Sequence, residues 1–206
     1  MSPSVEFTSK SEPTPSRKRR GPALCDVEGG VRPARAYLIT IPLLAKQKNM
    51  PETEFIADQL KRAFDGEAWH GPALMEILDG IQAKTAAAYP LTGAHSVWEL
   101  VLHLTTWERV IARRIHGEAL MPPDEENFPR IQQPTEAAWQ EALKNLRTAH
   151  ADLVQLVSSM NEARLNDCVP GKDYDLRFML TGAVQHAAYH GGQIALLKKA
   201  QEKMQK

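Results

Sequence analysis

Apolar residues return every three to four positions over long stretches of this chain, the period of helices with one buried face. Pro51 suits a first helical turn. Phe55, Ile56, Gln59, Leu60, Ala63 and Phe64 then follow helical spacing as far as Gly66. A second helical piece is expected over 68–81, with Pro72 near its start and Leu74, Ile77, Leu78 and Ile81 on one side. The next helix begins at Ser96, where Ser96-Val97-Trp98-Glu99 matches a capping box. Its stripe is Val97, Leu100, Val101, Leu104, Trp107, Val110, Ile111 and Ile115, and Gly117 is its stop. Pro134 and Thr135 open another helix to about Met160, with Trp139, Leu143, Leu146, His150, Leu153, Leu156 and Val157 at helical steps. Asp175 caps the last, which runs to about Ala200 on a stripe of Leu176, Met179, Leu180, Ala183, His186, His190, Ile194 and Leu197. Very little reads as strand. The pattern predicts an all-α fold, a four-helix bundle over residues 51–206.

The segments between helices also carry information. "AAAYPLTG" at 86–93 is a loop signal, and 161–174 is a short irregular piece containing Cys168 and Pro170-Gly171. The connection 117–133 is long and Pro-rich, and a loop of that length in a compact domain is often functional. Residues 1–35 are rich in Pro, Ser, Gly and charge and show no apolar period. Such a composition buries too little surface to offset its ordering entropy, so 1–50 is expected to be a disordered leader. Met50 opens the cleaner domain, so an overextended start is a second explanation for those fifty residues. "RKRR" at 17–20 reads as a solvated basic tail before it reads as an import or nucleic-acid patch.

Composition narrows the function classes. Hydrophobic residues make up 43% and charged residues 24% of 206 residues, enough for a real core. Net charge is zero but uneven: residues 1–50 hold nine Lys and Arg against four Asp and Glu, and the remainder sixteen against twenty-one. That mildly acidic body argues against a nucleic-acid partner. Only Cys25 and Cys168 are present and they form no Cys-x-x-Cys pair, so a disulfide framework or thiolate zinc site is not expected and the cytoplasm is the default compartment. The longest apolar stretch, Ala36–Ala45, is short and contains Pro42. No membrane span is expected, and a signal sequence would need an unusually long leader.

The candidate chemistry lies in "QHAAYHGGQ" at 185–193. His186 and His190 lie four apart on a stripe that is apolar above and below them, so both face one way. Two adjacent buried imidazoles are costly unless their nitrogens find partners. Core hydrogen bonds are one solution and a shared metal ion is another. His103, flanked by Leu100 and Trp107 on the capped helix, offers a third imidazole on an inward stripe. Three neutral imidazoles suit zinc, nickel, iron or copper better than magnesium or calcium. Three protein ligands leave a position open, as in catalytic sites.

Gly191 and Gly192 weaken a helix, each by up to about 1 kcal/mol against Ala. They are expected to admit a neighbouring segment or substrate near His190, or to mark a helix crossing. Gln193 is a candidate to orient a ligand. Among the other histidines, His70 and His95 are expected in loop or cap roles, or at the site mouth. His116 ends a helix, where a cation is favourable, and His150 is expected in the core or on the surface. Glu99 is expected to be occupied by the cap, and Tyr189 to lie close enough to touch the site. "HAAYH" lacks the Glu of His-Glu-x-x-His peptidases. No Gly-rich phosphate loop, no Gly-x-Ser-x-Gly elbow and no second carboxylate-rich set for a di-iron bundle is present.

"HSVWELVLHLTTWERVIARRIHG", followed some seventy residues later by "QHAAYHGGQIALLKK", resembles the DinB/YfiT-like superfamily, and the resemblance covers about residues 52–200. It implies a four-helix bundle with a three-histidine divalent-metal site, here His103, His186 and His190. It further implies a transferase or hydrolase that activates a low-molecular-weight thiol, or water, against a small-molecule substrate, with zinc, nickel or iron as the ion. The alternative is a non-catalytic metal-binding stress-response or small-molecule-binding module. A homodimer is also expected. The fifty-residue leader lies outside the resemblance.

Overall fold

The computed structural model describes residues 50–204, and the expectations for the leader and the basic run at 17–20 lie outside the described residues. The described chain forms α1 (Glu52–Asp65), α2 (Leu74–Leu78), α3 (Ala83–Ala86), α4 (Val97–Ile115), α5 (Asp124–Asn127), α6 (Glu136–Ser159), a 3₁₀ turn (Glu162–Asn166) and α7 (Leu176–Met204). No strand is formed among the described residues beyond an isolated bridge between Cys168 and Asp175. The fold is all-α, as the periodicity predicts.

Four long helices make the bundle. α1 and α4 each pack against both α6 and α7. The local signals act where expected. Ser96 Oγ accepts the Glu99 N–H at 3.2 Å, and Glu99 Oε2 accepts the Ser96 N–H at 2.9 Å, closing the capping box. Thr135 Oγ1 accepts from Ala138 N–H at 3.3 Å, and Asp175 Oδ1 from Phe178 N–H at 2.8 Å.

The helix expected over 68–81 is shorter than its periodicity suggests. Gly71 takes φ +119° and Gly80 φ +71°, a region that glycine occupies without Cβ strain. Only Leu74–Leu78 coils between them, its first turn closed by Ala73 N–H donating to Glu76 Oε2 at 3.0 Å. α2 and α3 are then pinned by groups from α6 and α7. Trp139 Nε1 donates to the Ile81 carbonyl at 2.6 Å, Glu136 Oε2 accepts from Ala83 N–H at 2.8 Å, and Gln201 Nε2 donates to the Thr85 carbonyl at 2.7 Å.

The apolar core is divided into two clusters. One joins Val97–Leu104 of α4 to Trp139, Leu146, Ile194 and Leu197. The other joins Ile111 and Ile115 to Leu153, Val157, Leu165, Leu176, Leu180 and Ala183. Between them, at mid-height, the helices turn polar side chains inward: His103 and Glu108 on α4, His150 on α6, and His190 on α7, all buried. No described helix is long and apolar enough to cross a membrane.

Candidate metal centre

α4 and α7 pack against each other and bring His103, His186 and His190 together, one ligand atom from each lying within 4.8 Å of the others. His186 Nε2 is the apex, 3.1 Å from His103 Nε2 and 3.0 Å from His190 Nε2. Tetrahedral zinc with bonds near 2 Å would hold its nitrogens about 3.3 Å apart, so the cluster is already close to that spacing.

The outer nitrogens decide what the inner ones can do. His103 Nδ1 donates to the Asn127 carbonyl at 2.8 Å, and His190 Nδ1 donates to Gln193 Oε1 at 2.7 Å. Both acceptors are oxygens without a hydrogen, so the imidazole proton sits on Nδ1 and the Nε2 lone pair is bare. Two bare lone pairs therefore face His186 Nε2, which carries at most one hydrogen. Hydrogen bonding among the three cannot satisfy this arrangement, whereas a cation at their centre does. The residues present fit a metal ion, and the cluster could hold one.

Electrostatics point the same way. Burial, with the nearby His190 and His103 charges, pushes His186 down to about 3. Burial also lowers His103 and His190, outweighing the Asn127 and Gln193 hydrogen bonds that favour their charged forms. All three imidazoles are thus neutral at pH 7, the form that ligates.

The long 117–133 connection contributes to the site. Besides the Asn127 carbonyl on His103, its Asn127 Oδ1 accepts from Trp107 Nε1 at 2.8 Å, and Thr106 Oγ1 donates to the Glu126 carbonyl at 3.0 Å. The Phe128 ring stacks on His103 (centroids 4.1 Å apart, 7° between planes) and on its other neighbour His95 (3.8 Å, 2°). Neither Asn127 nor Phe128 carries a periodic signal in the sequence, since the one-turn α5 that Asn127 ends and Phe128 caps is too short to show one.

The other histidines fall elsewhere among the described residues. His95 is a rim residue, stacked on Phe128 and 3.4 Å from Glu99. His70 is exposed in a turn and His116 is exposed at the end of α4. His150 is core, bonded to Glu108 and stacked on Phe64. Tyr189 is 65% exposed with its ring 5.0 Å from that of His190. Glu99 is engaged at the cap and by Tyr89 Oη.

The glycines behave differently from the expectation that they admit a close neighbour or substrate. A Cβ on Gly191 would meet Ile77 Cδ1 of α2 at 3.5 Å, an ordinary contact, and one on Gly192 would meet nothing within 4 Å. Gly191 thus lies at a helix crossing that leaves room for a methyl group, and Gly192 faces open space.

The model of the DinB superfamily matches residues 68–194. The chain belongs to the DinB superfamily. The matched span contains all three histidines of the cluster, together with the Asn127 and Gln193 partners that fix two of them. No curated protein and no solved structure matches this DinB chain.

Proposed function

We propose that this DinB protein holds one divalent ion, zinc, nickel or iron, on His103, His186 and His190 and uses it to activate a low-molecular-weight thiol, or water, against a small electrophile. One observation carries the reading: two imidazoles whose protons are fixed on the outer nitrogen aim bare lone pairs at the third. All three donors are neutral, so nothing in the ligand set offsets a doubly charged ion, which favours an anionic fourth partner. When bound, such an ion supplies Lewis acidity that brings coordinated water to a pKa of about 7 and keeps a thiol as thiolate.

The chain's own residues do the remaining work. The Asn127 carbonyl and Gln193 hold two rings in the productive orientation. Phe128 covers one face of His103 and keeps water from it. Trp107 stands edge-on to His186, ring centroids 6.1 Å apart, and walls a cleft by which a small molecule reaches the cluster.

The test is metal content of the purified full chain. We expect about one equivalent in the parent and none in His186→Ala. A full equivalent retained by the variant rejects this ligand set. The position of the histidines between the two apolar clusters favours a second reading, a non-catalytic module braced by its ion. That reading predicts a large loss of thermal stability on chelation and no turnover with any thiol or hydrolysable ester. The enzyme reading predicts a modest loss and measurable turnover.

A further inference from the structure

Beside His186, the α4–α7 cleft has a volume of about 240 Å³ and is walled by Trp107, Ile111, Phe178, Met179 and Ala183, with Arg114 and Tyr174 also lining it. Arg114 is unusual in this setting. It is 3% exposed, and among the described residues it forms no ion pair with a carboxylate. A buried cation without a counter-ion is costly to desolvate. Its known partners are neutral. Nε and Nη2 both donate to the Leu120 carbonyl, at 3.0 and 2.7 Å, Nη2 touches Met121 Sδ at 3.6 Å, and the guanidinium carbon lies 5.5 Å from the centroid of the Trp107 ring.

Nη1 has a single long contact, a 3.4 Å donation to Tyr174 Oη. The Tyr174 hydroxyl hydrogen has no acceptor among the described residues. One Nη1 hydrogen and one phenol hydrogen are therefore available side by side on an apolar cleft. Two donors on atoms 3.4 Å apart, one of them charged, suit the two oxygens of a carboxylate.

We infer that Arg114 and Tyr174 form a carboxylate-binding subsite, and that the small molecule this protein takes carries a carboxylate at one end and an apolar body along Trp107, Phe178 and Met179. Its other end then lies toward His186. The inference rests on the metal-centre reading only for what happens at that far end. Carboxylate capture by Arg114 needs no ion.

Gly182 supplies a clean control. It lines the cleft, and a Cβ built on it meets nothing within 4 Å. Gly182→Leu therefore enters the cleft from a position where its Cβ meets no neighbour, and Tyr174→Phe removes one donor while keeping the ring. The probe is phenylacetate, with phenylacetamide as its uncharged isostere, titrated calorimetrically into the full chain, zinc-loaded and again after exhaustive chelation. We expect saturable phenylacetate binding in both forms. The amide and Tyr174→Phe should each bind more weakly by roughly tenfold, the order expected for losing a charged hydrogen bond, and Gly182→Leu should weaken binding by occupying the space the apolar body takes. Circular dichroism should show both variants folded. Absence of phenylacetate binding, equal binding of acid and amide, or variants that bind like the parent each overturn the subsite. So does binding that disappears with the metal, because the carboxylate then sits on the ion. Failure of the metal reading would appear separately, as missing metal in the parent.

Discussion

Two histidine sets lie between the two apolar clusters of this bundle and differ in what their ring nitrogens face. On the α4–α7 side, His103, His186 and His190 direct three ring nitrogens at one another, and two of them have their outer nitrogens satisfied by oxygen acceptors. On the α4–α6 side, His150 Nδ1 meets Glu108 Oε1 at 3.2 Å, while His150 Nε2 and Glu108 Oε2 are buried without a hydrogen-bond partner. Both sets interrupt the apolar core. One offers lone pairs to a point in space, and the other offers an acceptor and a ring to each other. Burial alone therefore does not make a histidine a ligand. A group that could hold an ion needs converging bare nitrogens as well, with neighbours that fix where the proton is not.

The largest expected effect on the first set comes from its supports. Gln193→Leu removes the acceptor that holds the His190 proton outward. Metal affinity should fall about 10- to 100-fold, as for other outer partners of ligating histidines, while unfolding of the metal-free protein changes little. Competition titration with a chromophoric chelator measures it, and an unchanged affinity would remove the tautomer argument. On the second set, Glu108→Met should cost about 2–3 kcal/mol by leaving a buried His150 without its partner, with metal content unaffected. Replacing both, Glu108→Met with His150→Phe, should recover most of that loss in urea unfolding. A metal content that falls with Glu108→Met would show that the two sets are one site.

Smaller effects set the scale. Glu99 lies outside both sets, at the start of α4. Burial pushes its carboxyl up, but the Ser96 N–H, Tyr89 Oη and Ser96 Oγ hydrogen bonds outweigh this and hold it below its ordinary value of 4.5. Because the folded state lowers this pKa, its contribution is fully present above about pH 4.5 and is lost as pH falls through the folded value. Glu99→Gln should cost about 1 kcal/mol at pH 7, and the gap from the parent should close in acid. Least of all, Gly192→Ala should stabilise α7 by up to about 1 kcal/mol, since its Cβ enters open space. A destabilised variant there would revive a close-approach role for the glycine pair.

Much of this molecule is legible in its sequence because helices announce themselves by period and cap. The stripes named on α4 and α7 are the faces that bury, with Trp107 and His186 half-buried at the cleft. His103, His186 and His190 stand out because they interrupt those stripes. What the pattern hides has physical reasons. Phe55 fits the α1 period yet is 50% exposed, and period alone cannot say which edge of a stripe a neighbour covers. Glu108 and Arg114 are charged residues that read as solvent-facing, yet both are buried. Asn127 and Phe128 reach the site through a loop, where contact depends on chain path and leaves no periodic trace. His150 and His103 look alike in the sequence, and only the facing helix distinguishes them.

Asn127 joins two kinds of behaviour. A single residue accepts a hydrogen bond from His103 on its backbone carbonyl and one from Trp107 on its side-chain oxygen, so the loop's conformation and the ring's orientation form one equilibrium. Linkage makes that coupling reciprocal. Filling the centre should shield the 117–133 connection from a protease, and cutting or unlatching that connection should release the ion, giving the bundle a readout of occupancy at its surface.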